Sequence, residues 1–312
     1  MEKILSNQPS RQKHDACGSY EVDIVVARRI THSSPPNQLW HYTNADGLLG
    51  ILETKTVWAT DASYLNDRKE ILYAKDLIEE ILTTLCDHPS FNPEFKITPD
   101  EKEILDVEYR DLLNQIPVVS DVFVASFSTK FDDLSQWREY GNYSICVSGN
   151  ALNLCAQQAG GFLAPCIYDR PEQDRLVTSQ VERVIRSYRE HLNKGKLYDG
   201  LVYDFLCRIG PLMKHPSFFG ESEWRIVVPP QSMDRNSLKF RQTNSVVTPY
   251  IKVDIEDALG HREDRPVTPQ FGIGPGNDRL SITTMRHLTE NMLGFEAFIH
   301  RSDTPYAPPT SE

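Results

Sequence analysis

Apolar and polar positions change period several times along the chain, and each change marks an element. Over residues 64–85, YLNDRKEILYAKDLIEEILTTL, apolar side chains fall at 71, 74, 77, 78, 81, 82 and 85. That spacing predicts an amphipathic helix started by Asn66 or Asp67. Elsewhere the period shortens to two or the apolar runs are brief. LWHYT (39–43), VWAT (57–60), VFVASFS (122–128), YSICVSG (143–149), EWRIVV (223–228), LKFRQT (238–243), VVTPYIKVDI (246–255), QFGIGPG (270–276) and EAFIHRS (296–302) read as strands. Shorter helices are predicted at NADGLLGILET (44–54), with Asn44 as N-cap, at DDLSQWREYG (132–141), which ends at glycine, and near 279–292. Thr98, Pro99 and Glu101 match a capping box that opens a helix running to about Gln115.

Several strands follow one another without an intervening helix, which predicts an α+β fold with a mixed, mainly antiparallel sheet and flanking helices. Residues 1–37 form a polar leader with a candidate strand at EVDIVVARR (21–29), and SSPPN (33–37) breaks the chain before a single domain over 38–306. Two helical stretches within 171–214 read as an insertion into that domain, and 307–312 is a tail.

Composition narrows the function. The 312 residues carry a net charge of −11, which argues against a broad electrostatic grip on nucleic acid. The first 20 residues lack the apolar region of a signal peptide and no run is long enough to span a membrane, so a cytoplasmic protein is expected. The six cysteines are dispersed, and no Cys or His spacing points to a metal. Acidic residues likewise form no ligand cluster of the kind a metal nuclease needs.

Three strands carry paired polar side chains. Alternation puts Glu221, Glu223 and Arg225 on one face opposite Trp224, Ile226 and Val228, and Ser126 with Ser128 opposite Ala125 and Phe127. In the same way His41 shares a face with Leu39 and Thr43, opposite Trp40 and Tyr42. If these faces meet, the cleft holds an imidazole, hydroxyls and two carboxylates, with neither a glycine-rich phosphate loop nor a nucleophile–base triad. Such a set fits cleavage of an N-glycosidic bond, where a fixed carboxylate stabilises an oxocarbenium-like state. A solvated strand face, a structural histidine and a helix cap with a packed tyrosine at Tyr64, Asn66 and Asp67 account for the same residues without function. Trp137 and Tyr140, three apart on one helix face, read as core or as a stacking platform.

The blocks LWHYTNADGLLGILETKTVWATDASYLNDRKE, VASFSTKFDDLSQWREYGNYSICV, ESEWRIV and FGIGP with HRSDTPY resemble, in order, a bacterial family of unknown function, domain 2971, over nearly 38–306. That family in turn looks like a distant relative of the ADP-ribosyltransferases, which bind NAD in a split β-sheet and carry, in order, a His or Arg, a Ser- or Tyr-bearing strand and a Glu. The resemblance implies NAD as co-substrate and no metal. His41, with Tyr42 and Thr43, would hold the nicotinamide-side ribose. Ser126, Phe127 and Ser128 would shape the nicotinamide pocket, with Tyr64, Asn66 and Arg225 also binding. Glu223 would be the catalytic glutamate, and Glu221 would face a macromolecular acceptor, protein or nucleic acid. Phe127 stands where the transferase pattern most often has Thr, and a histidine accompanies the serine motif. Toxin or phage-defence roles follow from the resemblance alone. The alternatives are an NAD glycohydrolase and a non-catalytic nucleotide- or peptide-binding module.

Overall fold

The computed structural model describes residues 33–64, 68–87, 97–103, 121–191, 205–243, 245–260, 268–276, 279–294 and 297–305. Residues 1–32 with the candidate strand at 21–29, Asn66, Asp67, the predicted helix beyond Glu103 and the tail lie outside the described residues.

Ten strands form one sheet: β1 (Gln38–Thr43), β2 (Thr56–Asp61), β3 (Phe123–Ser128), β4 (Tyr143–Ser148), β5 (Phe162–Pro165), β6 (Glu223–Val228), β7 (Lys239–Thr243), β8 (Val246–Asp254), β9 (Gln270–Ile273) and β10 (Phe298–Arg301). The order runs β10-β9-β4-β1-β3-β2-β8-β7, with β6 paired to β3 and β5 to β6. Among the described residues only the β10–β9 ladder is parallel, so the sheet is mixed and mostly antiparallel. Among the described residues, helices α1 (Ala45–Thr54), α2 (Arg68–Asp87), α3 (Leu134–Tyr140), α4 (Gly149–Gln158), α5 (Arg170–His191) and α6 (Arg279–Leu293) flank it. The fold is α+β, as the lack of strict strand–helix alternation predicts.

Local signals account for several boundaries. Asn44 accepts from the Gly47 amide and starts α1. At 98–101 the capping box forms in both directions, with the Thr98 amide donating to Glu101 Oε2 at 2.8 Å and the Glu101 amide to Thr98 Oγ1 at 3.3 Å. Helix α3 ends at Gly141, whose φ of 118° is outside the range open to other residues. Helix α4 was absent from the sequence expectation. Its N-cap, Ser148, is also the last residue of β4.

Cross-strand partners point to the same side of a sheet, and this sorts the core. On one side Val124 and Val227 pack with α2, α5 and the 205–213 segment. On the other, Phe123, Phe127, Ile226 and Val228 pack with α1, α4 and α6. A smaller aromatic group of Trp40, Tyr42, Trp137 and Phe131 covers β1 on the first side. The 171–214 stretch thus contributes to a core on the sheet, through Val177, Val181 and Leu212.

Among the described residues no helix is long and apolar enough to cross a membrane.

Candidate functional site in the fork of the sheet

Strand β3 gives one whole edge to β6. Its other edge is shared: β1 pairs at Ser128 through Trp40, while β2 pairs at Phe123 and Val124 through Asp61 and Thr60. Between these contacts β1 and β2 part company, leaving a fork in the sheet at Ala125, Ser126 and Phe127. A cleft of about 1020 Å3 opens there, lined by residues of β1, β2, β3, α1, α3 and the β7–β8 hairpin.

His41 occupies the fork. Its Nδ1 lies 2.9 Å from the Ser126 carbonyl oxygen, which can only accept, so the ring proton sits on Nδ1 and Nε2 is left as an acceptor. No described residue bonds Nε2. Burial lowers the His41 pKa, opposed by the Ser126 carbonyl, and this favours the neutral ring. Phe127 packs against the imidazole with centroids 5.3 Å apart.

The polar faces of the three strands come together in part. Ser126 pairs with Arg225 and Ser128 with Glu223, so those four side chains do share one side of the sheet. His41 springs from the opposite side, because Trp40, not His41, pairs with Ser128. It reaches Ser126 only because the sheet is forked.

Glu221, read as a strand residue, is instead the end of a short 3-10 turn, Pro216–Glu221. Ser222 then takes a left-handed conformation, φ 47° and ψ 47°, and β6 begins at Glu223. The two carboxylates are still brought together, by a cation that the sequence reading missed. Lys214 ion-pairs with Glu221 and with Glu223, the latter at 2.5 Å. Arg225 grips Glu223 a second time, Nε to Oε1 at 2.7 Å and Nη2 to Oε2 at 3.2 Å, and donates to the Pro211 carbonyl. Two cations and two carboxylates therefore form one compact group. Burial would raise the Glu223 pKa, but Arg225 and Lys214 outweigh it and hold the carboxyl at about 2.

These contacts set what each side chain presents. Glu223 is 5% exposed, has both oxygens engaged and is not part of the cleft wall, whereas Glu221, Lys214 and Arg225 are. Ser126, Thr43 and Tyr64 line the cleft. Ser128 is buried, its hydroxyl donating to the Glu221 carbonyl at 2.7 Å and accepting from the Lys130 amide at 3.1 Å, so it holds the approach to β6. Tyr42 lines the cleft while its hydroxyl is shared between the Lys130 and Phe131 carbonyls at 2.7 and 2.5 Å. Trp137 and Tyr140 part ways. Trp137 is core, its indole donating to Asp132 Oδ1 at 2.7 Å, and Tyr140 is 37% exposed on the cleft wall.

Further cleft residues escaped the sequence reading, among them Trp58, Thr60, Arg241 and Thr248, contributed by β2 and the β7–β8 hairpin. The only available signal was the alternation of VWAT and KFRQT, which says nothing about which strands become neighbours. Among the described residues no group of three or more His, Cys, Asp or Glu is placed to hold a metal ion.

Comparison with known proteins adds one match. No curated protein and no solved structure matches the chain. The sequence blocks spread the resemblance over 38–306, whereas the family model covers a shorter central stretch. Over residues 136–226, which carry Tyr140, Lys214, Glu221, Glu223 and Arg225, the chain is similar to the family described as protein of unknown function, DUF2971.

Proposed function

We propose that the protein cleaves the nicotinamide N-glycosidic bond of NAD in the fork and transfers ADP-ribose to a macromolecular acceptor. The observation that supports this reading most is the convergence of a neutral imidazole acceptor, a serine hydroxyl and a lysine-held carboxylate inside a forked, mostly antiparallel sheet. In this reading His41 Nε2 accepts from a hydroxyl of the nicotinamide-side ribose. Ser126 and Tyr140 border the nicotinamide.

Glu221 takes the role that the sequence resemblance gave Glu223, because Glu221 lines the cleft beside Lys214 and Glu223 does not. As the bond between the ribose C1′ and the pyridinium nitrogen breaks, its electron pair leaves with nicotinamide, neutralising the ring. Positive charge develops at C1′, where Glu221 stabilises it. A lone pair of the acceptor closes the new bond at C1′ and the acceptor loses its proton. Glu223 acts through Lys214, fixing the position of Glu221. A toxin or defence role belongs to the same proposal.

The test is incubation with NAD and bacterial lysate, following released nicotinamide and ADP-ribosylated adducts by mass spectrometry. Release by the wild type and its loss in a folded Glu221→Gln variant support the reading. No release in any lysate, or release unchanged in both Glu221→Gln and Glu223→Gln, overturns it. Free ADP-ribose without adducts makes water the acceptor. One observation favours a second reading, a nucleotide-binding module without turnover: Lys214 already neutralises Glu221. Saturable NAD binding with no nicotinamide release distinguishes it.

A further inference from the structure

The cleft has a second pole. Pairing of Thr60 with Tyr250, Trp58 with Lys252 and Arg241 with Thr248 puts Trp58, Thr60, Tyr250, Arg241 and Thr248 on one side of the sheet, the side of Ser126. The Arg241 guanidinium carbon lies 5.1 Å from the Trp58 ring centre and 5.8 Å from that of Tyr250, and Nη2 donates to Thr60 Oγ1 at 2.9 Å. Its Nε is shielded from solvent yet has no acceptor among the described residues, and no described carboxylate pairs with the group. Lys214 and Arg225 are matched by Glu221 and Glu223. Arg241 is thus the cleft cation whose charge the described protein leaves uncompensated, with a shielded donor still to satisfy.

We propose that this pole is a phosphate-binding subsite that takes the diphosphate of a nucleotide. A guanidinium seated over two rings presents a fork of N–H donors along its edge, the geometry that phosphate oxygens accept in pairs. Spacing agrees. Thr60, whose Oγ1 accepts from Arg241 Nη2, is the register partner of Val124, one strand across and two residues along from Ser126. That is roughly 8 Å of backbone separation, the room a ribose needs between the glycosidic bond near His41 and its 5′-phosphate at Arg241. Thr248 and Thr60 hydroxyls complete a polar wall without negative charge. The subsite rests on the cleft being the ligand site of the proposed function, but not on any bond being broken there.

The experiment is calorimetric titration of the wild type, Arg241→Gln and Arg241→Lys with NAD, ADP-ribose, inorganic pyrophosphate and, as a probe lacking phosphate, nicotinamide riboside. NAD and ADP-ribose should bind the wild type and weaken roughly 10- to 100-fold in Arg241→Gln, with nicotinamide riboside unchanged. Arg241→Lys should recover part of the loss, since a point charge replaces the fork. Pyrophosphate competing with ADP-ribose shows that the shared diphosphate, and not the nucleoside, occupies the pole. Equal losses for nicotinamide riboside, no loss for NAD and ADP-ribose, or no binding of either phosphate-bearing probe would overturn the subsite. NAD binding that depends on Arg241 but yields no nicotinamide leaves the subsite standing and removes the enzymatic reading. Nicotinamide release with KM untouched by Arg241→Gln does the reverse.

Discussion

Arg225 and Glu223, two residues apart on one face of β6, clasp each other through two hydrogen bonds of 2.7 and 3.2 Å while Lys214 takes the same carboxylate from the other direction. All three side chains are at most 5% exposed. Removing one member strands a charge out of reach of water, and breaking a buried pair costs about 3–5 kcal/mol. Arg225→Met should therefore lower the unfolding free energy by about that amount in denaturant titration. A loss under 1 kcal/mol would mean that water reaches the group.

Acid should reveal the same cluster. Glu223 and Glu101, the latter held mainly by Arg189, both have folded-state pKa values of about 2, below their ordinary 4.5. Depressed carboxylates add stability that is present above the unfolded value and disappears as pH falls from about 4.5 towards 2. Unfolding free energy should decline across that window, and less steeply in Glu223→Gln. Parallel profiles for the two proteins would remove Glu223 from the account.

Ligand binding should follow His41 differently. Its pKa lies below the ordinary 6.5, so the ring is neutral near pH 7 and Nε2 accepts. Protonation at lower pH turns that nitrogen into a donor. NAD affinity should be flat above pH 6.5 and fall below it, a dependence that His41→Gln should abolish. An unchanged acid limb in the variant would assign the titration to another group.

Asp132 ties α3 to the end of β10. It accepts from the Trp137 indole at 2.7 Å, from the hydroxyls of Ser302 and Thr304 at 2.6 and 3.1 Å, and from the Asp303 amide at 3.0 Å. Asp132→Ala should cost about 2–3 kcal/mol, each charge-assisted bond being worth roughly that much against a partly compensating gain of water. Hydrogen exchange should quicken over 134–140, where Tyr140 forms part of the cleft wall. Unaltered exchange there would show that Trp137 packing alone seats the helix.

What the chain reveals before folding depends on how local each signal is. The helical stripe of α2, the Asn44 cap and the Thr98–Glu101 box involve residues a few positions apart, and the sequence shows all of them. So do the pairs Ser126–Ser128 and Glu223–Arg225, since parity along a strand survives any pairing, whereas their sharing one side follows from the β3–β6 register. Helix α4 had a readable signal in Leu152, Cys155 and Ala156, all buried at helical spacing, masked because polar residues separate them and because Ser148 serves strand and cap at once. Lys214 and Arg241 were not legible. The first meets its carboxylates from an irregular segment, and the second reaches the cleft only through the β2–β8–β7 order, which no short stretch encodes. The side from which His41 enters was hidden too, because a fork is a property of three strands together.

The fork also has a mechanical consequence. One arm of the sheet hangs from β3 by a single residue pair and the other by two, so a small change in the angle between the arms breaks few backbone hydrogen bonds. A molecule seated between them works as a cross-brace, adding to the packing of α1 a second link between the two arms. Its signature would be slowed amide exchange in β4 and β7 together, strands on opposite sides of the gap, one of them far from anything the molecule touches.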